Sequence, residues 1–165
     1  MLTKLKNDYK RLLKSKEFNN NGFLCGAFLI CELNNLEKTD WQIDFYDEKK
    51  DTITSYVVGE KIEVSENSKI FKEEGKTIEE LKLEKLKVDI KDALRKCEII
   101  LKQHEEKETQ VIIILQNDKG IKWNISYVTQ KFNLINIKID AETGELVNQN
   151  IISMLSWGKI DDGKD

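Results

Sequence analysis

The sequence predicts an α+β fold of two helix-plus-three-strand antiparallel units packed in one compact body, and three observations carry that expectation. The first is alternation of apolar and polar residues in Trp123-Asn124-Ile125-Ser126-Tyr127 and again at Ile135, Ile137 and Ile139, the period-two pattern of strands with one buried face. The second is the same alternation earlier in the chain, in Trp41-Gln42-Ile43-Asp44-Phe45-Tyr46 and in Thr52 to Val58. The third is a shift of 82 residues that lays Trp41 on Trp123, Ile43 on Ile125, Phe45 on Tyr127, Ile53 on Ile135 and Leu33 on Leu115. Both hairpins register at that one shift, so a tandem repeat is expected, with Trp41, Trp123, Ile125 and Tyr127 in the core.

Taken in order, Leu2, Leu5, Tyr9, Leu12 and Leu13 recur at helical spacing, which predicts an amphipathic helix from Leu2 to about Lys16 with its lysines on the other side. Asn19-Asn20-Asn21-Gly22 is turn-forming. Phe23 to Leu33 is apolar without alternation, as in a strand covered on both faces, and Gly26 and Ala27 would allow another backbone to approach closely. A loop over Leu36 to Asp40 leads to the Trp41 strand, a turn at Asp47 to Asp51, and the returning strand from Thr52, continued by Ile62 and Val64. Thr77 and Glu80 have capping-box spacing for a short helical turn. Asp89 can cap a helix whose Ile90, Ala93, Leu94, Cys97, Ile100, Leu101 and His104 form one stripe. Gln110 to Gln116 reads as a strand apolar on both faces, Asn117 to Gly120 as a turn, and the Trp123 hairpin follows with its turn near Gln130 to Asn133. The expected organisation is an N-terminal unit at 1–64, a connector at 65–84, a C-terminal unit at 85–147, and a docking segment and tail at 148–165 that holds Ile151, Ile152 and Trp157.

Composition narrows the function. The 165 residues suit about one domain, and 35% are charged with a net charge of −3. The first twenty carry +4, six bases against Asp8 and Glu17, which leaves −7 for the remainder. Interspersed signs of this kind describe a solvated surface, so nucleic acid is not an expected partner. No stretch reaches the ~20 apolar residues of a spanning helix. The run from Gly22 to Cys31 lies too far in, and after too polar a segment, for a secretory signal. A cytoplasmic protein with no membrane contact is therefore expected. Cys25, Cys31 and Cys97 lie in apolar settings and are odd in number, which points to reduced thiols. Spacing by six places Cys25 and Cys31 on one strand face, roughly 20 Å apart by strand rise.

Catalytic and ligand readings find little to stand on. His104 is the single histidine and ends an apolar stripe, which suits a core-rim residue better than a general base. Paired CxxC spacing, HExxH and glycine-rich phosphate loops are absent, so catalytic residues, metal ligands and cofactors are all expected to be none. Asp140, Glu142 and Glu145 lack the ligand order of a calcium loop. Asp140, Thr143 and Gly144 read instead as a structural turn, the carboxylate accepting backbone N–H bonds and the glycine supplying positive φ.

Val88-Asp89-Ile90-Lys91-Asp92-Ala93-Leu94, three following strands, and the closing Asp140-Ala141-Glu142-Thr143-Gly144-Glu145-Leu146 resemble a PepSY domain over residues 86 to 147. The resemblance implies a PepSY- or cystatin-like helix on a small antiparallel sheet, with the first half as a degenerate copy lacking the Asp-Ala-x-Thr-Gly turn. It also implies a non-enzymatic module of the kind associated with regulators of peptidases.

One helix covers one face of a three-stranded sheet, whereas the other face would gain Tyr46, Tyr56 and Val58, or Val128 and Leu134. Such a surface must be covered: by the other half, by a symmetric dimer, or by a protein partner. The expected function is a non-catalytic protein-interaction or regulatory module. The alternative is a carrier of a small hydrophobic ligand in a cleft between helix and sheet or between the two halves.

Overall fold

The computed structural model describes residues 2–19, 21–69 and 77–155. Among them, helix α1 (Leu2–Leu13) precedes β1 (Phe23–Cys31), β2 (Trp41–Asp47), β3 (Thr52–Val58) and β4 (Ile62–Lys69). Helix α2 (Ile90–Gln103) precedes β5 (Glu108–Asn117), β6 (Ile121–Thr129), β7 (Asn133–Asp140) and β8 (Leu146–Ser153). The eight strands form one antiparallel sheet in the order β4-β3-β2-β1-β5-β6-β7-β8.

This corrects the expected α+β pair of PepSY- or cystatin-like three-stranded units. Each half supplies four strands, and β1 pairs with β5 from Gly26↔Gln116 to Cys31↔Val111, so the halves are fused edge to edge by backbone hydrogen bonds. Among the described residues strand far outweighs helix. The similarity at an offset of 82 residues does not divide the chain into self-contained tandem units, because β1 and β5 are interior strands of one sheet. β8 was hidden because both of its faces meet solvent and its residues show no alternation, while Ile62 and Val64, expected as a continuation of the preceding strand, belong to β4. Every residue of β8 is exposed. It occupies the start of the expected docking segment; Trp157 lies outside the described residues.

Both helices lie on one face. Leu5 and Leu12 of α1 and Ile90, Ala93, Leu94, Cys97, Ile100 and Leu101 of α2 share one core with Trp41, Ile43, Tyr56, Val111, Ile113, Trp123, Ile125, Tyr127 and Ile137. Asp89 caps α2, accepting from the Lys91 N–H at 3.3 Å, which satisfies one of the free donors of a helix start. The segment at 77–82 has no regular secondary structure where a capped helical turn was expected. Its Leu81 N–H bonds the Leu24 carbonyl at 2.7 Å and its side chain is buried, so a backbone bond to β1 and burial outweigh local capping. Leu33–Lys38 and Leu83–Lys85 are 3₁₀ turns.

Two side-chain directions differ from the sequence reading. The β1–β2 register shifts between Leu24 and Gly26, a bulge that lets Leu24 and Ala27, three apart, both face the core. One extra residue reverses strand parity. Cys31 accordingly packs against the core, while Cys25 lines the opposite face beside Phe28, Gln42 and Asp44. Tyr56 and Val58, expected on the far face, are fully buried beneath the helices opposite Ile43 and Trp41.

Candidate functional site

Two surfaces stand out once the core is filled. The first is the sheet face opposite the helices. At its centre Ile30 lies opposite Ile112 and Phe28 opposite Ile114 across β1 and β5. These side chains are half-buried, except Ile30, which is 44% exposed. Polar groups flank the apolar centre on both sides. On one side Gln42 donates to the Asp44 carboxylate at 3.0 Å and to the Ser55 hydroxyl at 3.4 Å. On the other, the Asn136 amide donates to the Asn124 Oδ1 at 2.6 Å and to the Ser126 hydroxyl at 2.8 Å. These are cross-strand ladders, in which side chains two residues apart on each strand meet on one face. Val128 and Leu134, assigned to this face from the sequence, pair on it.

A cleft of about 300 Å³ on this face lies between Cys25, Phe28, Gln42, Asp44, Ile53 and Ile78. Its chemistry is muted. Burial, with the Asp44 charge adding to it, pushes the Cys25 thiol up to about 12, and the thiol donates to the Asp44 carbonyl at 3.4 Å. A thiol held protonated at neutral pH is a poor nucleophile and metal ligand. Burial also raises the Asp44 carboxyl above its ordinary range, against the opposing hydrogen bonds of Ser55 and Gln42. Gly26 begins the β1–β5 pairing next to this cleft. A Cβ there would stand 3.2 Å from the Leu115 carbonyl, the close backbone approach expected at this position.

The second surface is the free edge at β8, built on the turn before it. The Asp140 carboxylate accepts from the N–H groups of Glu142 at 2.8 Å and Thr143 at 3.0 Å. The Gly144 N–H closes on the Asp140 carbonyl at 2.8 Å with φ +82°, and the Thr143 hydroxyl accepts from Glu145 N–H at 3.2 Å. The Thr143 N–H, more than any other group, holds the Asp140 carboxyl below its usual range. Asp140, Thr143 and Gly144 thus form a turn stabilised by its own backbone donors. It is tied to the fold through Ala141, whose carbonyl accepts from Lys87 and Val88 and whose N–H reaches the Ile121 carbonyl. The Lys96 ammonium reaches the Gly144 carbonyl from α2.

Trp41, Trp123, Ile125 and Tyr127 all lie in the core, with the two indole rings 6.3 Å apart. His104 is exposed at the end of α2, its backbone N–H bonded to the Ile100 carbonyl. Sequence reasoning missed Glu106, a buried carboxylate that accepts from the Asn133 amide at 2.5 Å and ties the α2–β5 connection to the β6–β7 turn. Its neighbours in sequence are charged and exposed in pattern, so only the folded turn sets it apart.

No family model matches the chain, and no curated protein matches it either. A crystal structure from Clostridium difficile 630, of a protein described as a putative lipoprotein, is similar in fold, with a TM-score of 0.54 and 15% identity over 91% of each chain. That likeness concerns the fold. No helix among the described residues is long and apolar enough to cross a membrane.

Proposed function

We propose that the protein is a non-catalytic binding module that engages another protein through the sheet face opposite its helices. The observation that supports this reading is the edge-to-edge fusion of the halves at β1 and β5. It leaves the Phe28, Ile30, Ile112 and Ile114 side chains in the middle of a face that neither helix covers. Apolar surface ringed by satisfied polar groups is the usual anatomy of a protein-binding patch. The alternative, a hydrophobic-ligand carrier, has less support, because Trp41, Trp123 and Tyr127 fill the space between helices and sheet.

Paired substitutions Ile30→Asp and Ile112→Asp test the proposal. Both residues are on the sheet surface, so the variant should keep its near-ultraviolet circular dichroism while losing capture of its partner from a lysate of the source cells. Ile99→Asp, on the helix side, should keep it. Capture that survives the first pair of substitutions would refute the reading.

A further inference from the structure

The two edges of the sheet differ in a way that concerns self-association. The outer strand β4 has Glu63, Glu66 and Lys69 in its sequence, and charges of this kind deter edge-to-edge pairing; register irregularities mark the pairing of both outer strands, between Ile53 and Ser55 and between Lys138 and Ile139. The opposite outer strand, β8, reads Leu-Val-Asn-Gln-Asn-Ile-Ile-Ser and has no charged residue. Leu146, Val147, Ile151 and Ile152 are each between 37% and 48% exposed, and Ile99 of α2 is 60% exposed.

The phase of the free edge follows from one bond. The Met154 N–H reaches the Phe132 carbonyl at 2.8 Å, beside the Asn133↔Ser153 pair. Hydrogen-bonded and non-hydrogen-bonded pairs alternate along antiparallel strands. Asn148, Asn150 and Ile152 therefore turn their backbone groups toward β7, and Gln149 and Ile151 turn theirs outward. Among the described residues, no strand lies beyond β8.

We propose that β8 pairs antiparallel with β8 of a second copy of this chain, about a two-fold axis at Asn150 and perpendicular to the sheet. That axis places the outward N–H and C=O groups of Gln149 opposite those of Ile151 in the partner copy, so the backbone row is self-complementary. Because direct opposites in a sheet share a face, both helix layers fall on one side. Ile151 of each copy then faces the other copy's Gln149 on the helix side, and Ile152 faces Asn148 on the open side. The uncharged edge raises no like-charge conflict when it meets itself, and an isologous contact needs one patch only. A heterologous peptide strand could satisfy the same backbone groups, but β8 offers no charged side chain to select one.

Sedimentation of the full chain at 5–50 µM, on the order of typical dimer constants, tests this. The wild type should run at twice 19.3 kDa. Ile151→Asp should raise the dissociation constant by about a hundredfold or more, the effect of burying a carboxylate without a charge partner against the other copy's Gln149. Val64→Asp at the other edge and Ile30→Asp on the open face should leave it unchanged, which separates this interface from the proposed partner-binding face. Asn150→Cys should give an oxidised covalent dimer, since non-hydrogen-bonded opposites sit at about 4.5 Å between Cα atoms, within disulfide reach. A monomeric wild type, a dimer insensitive to Ile151→Asp, or an Asn150→Cys protein that does not cross-link would each overturn the proposal. So would a monomer that instead takes up an extended peptide at β8.

Discussion

Trp41 and Trp123 are both fully buried and touch each other across the centre of the core, yet one atom separates their situations. The Trp123 indole N–H donates to the Val88 carbonyl at 2.8 Å, whereas the buried Trp41 indole N–H has no hydrogen-bond partner among the described residues. The difference originates outside both side chains. The N–H groups of Lys87 and Val88 are anchored on the Ala141 carbonyl, and Ala141 is anchored on Ile121, so the turn after β7 aims a carbonyl at the indole. Around Trp41, among the described residues, no such chain of bonds delivers an acceptor. Equal burial therefore does not mean equal stabilisation: the apolar contribution is set by area, and the polar one by what the neighbouring backbone presents.

Removing a whole ring has the largest expected effect. Trp123→Ala should destabilise the protein by roughly 3–5 kcal/mol, as large aromatic truncations do in packed cores, while Ile30→Ala on the open face should cost much less. Denaturant melts that return similar small losses for both would contradict the assignment of the two faces. A finer cut uses phenylalanine, which keeps much of the ring and removes the N–H. Trp123→Phe leaves the Val88 carbonyl without its donor, whereas Trp41→Phe deletes a polar group that had no partner. Trp123→Phe should therefore be the more costly by about 1–2 kcal/mol.

The turn that delivers the acceptor can be perturbed directly. Gly144 has φ +82° and a Cβ there would stand 3.3 Å from the Lys96 ammonium, so Gly144→Ala should cost about 1–2 kcal/mol through left-handed strain. That variant should also narrow the gap between the two Trp→Phe substitutions, because a shifted turn moves Val88. Asp140 adds a smaller effect. Its folded-state carboxyl is held below the ordinary range by backbone donors, so it contributes stability above the unfolded pKa of about 3.9 that is lost as pH falls through the folded value. Because the group is largely exposed, that contribution is below about 1 kcal/mol. Asp140→Asn should therefore be slightly less stable than the wild type at pH 7, and the difference should vanish as pH falls through the folded value. The smallest expected effect is zero: since backbone donors already engage the Asp140 carboxylate, the melting temperature should be the same in calcium and in chelator.

What could be read from the residues, and what could not, divides along similar lines. Alternation in Trp41 to Tyr46, Thr52 to Val58, Trp123 to Thr129 and Ile135 to Ile139 marked β2, β3, β6 and β7, because each of those strands has one face in the core and one toward water. The stripe from Ile90 to Leu101 marked α2, and the Asp140-Ala141-Glu142-Thr143-Gly144 series marked a turn, since a carboxylate acceptor and a positive-φ glycine act locally. Part of the candidate surface was visible in the same way: Val128 and Leu134 fall on the open face as their alternation requires.

The remainder depended on contacts distant in sequence. β8 went unrecognised because a strand at an edge can be stable with both faces wet, held by backbone bonds to one neighbour, and its side chains then carry no period, while the Ile62 and Val64 of β4 read as a continuation of the strand before them. The bulge at Cys25 separated Cys25 and Cys31 onto opposite faces because a single inserted residue, invisible to composition, reverses every later direction. Above all, the fusion of β1 to β5 was decided by N–H and C=O groups that every residue possesses, so no side-chain pattern could distinguish two packed units from one eight-stranded sheet. The sequence by itself determined which residues would be buried in β2, β6, β7 and α2, because one face of each meets the core; the tertiary structure decided the facing of β1 and β3 and which edges meet, because a bulge and backbone pairing set them.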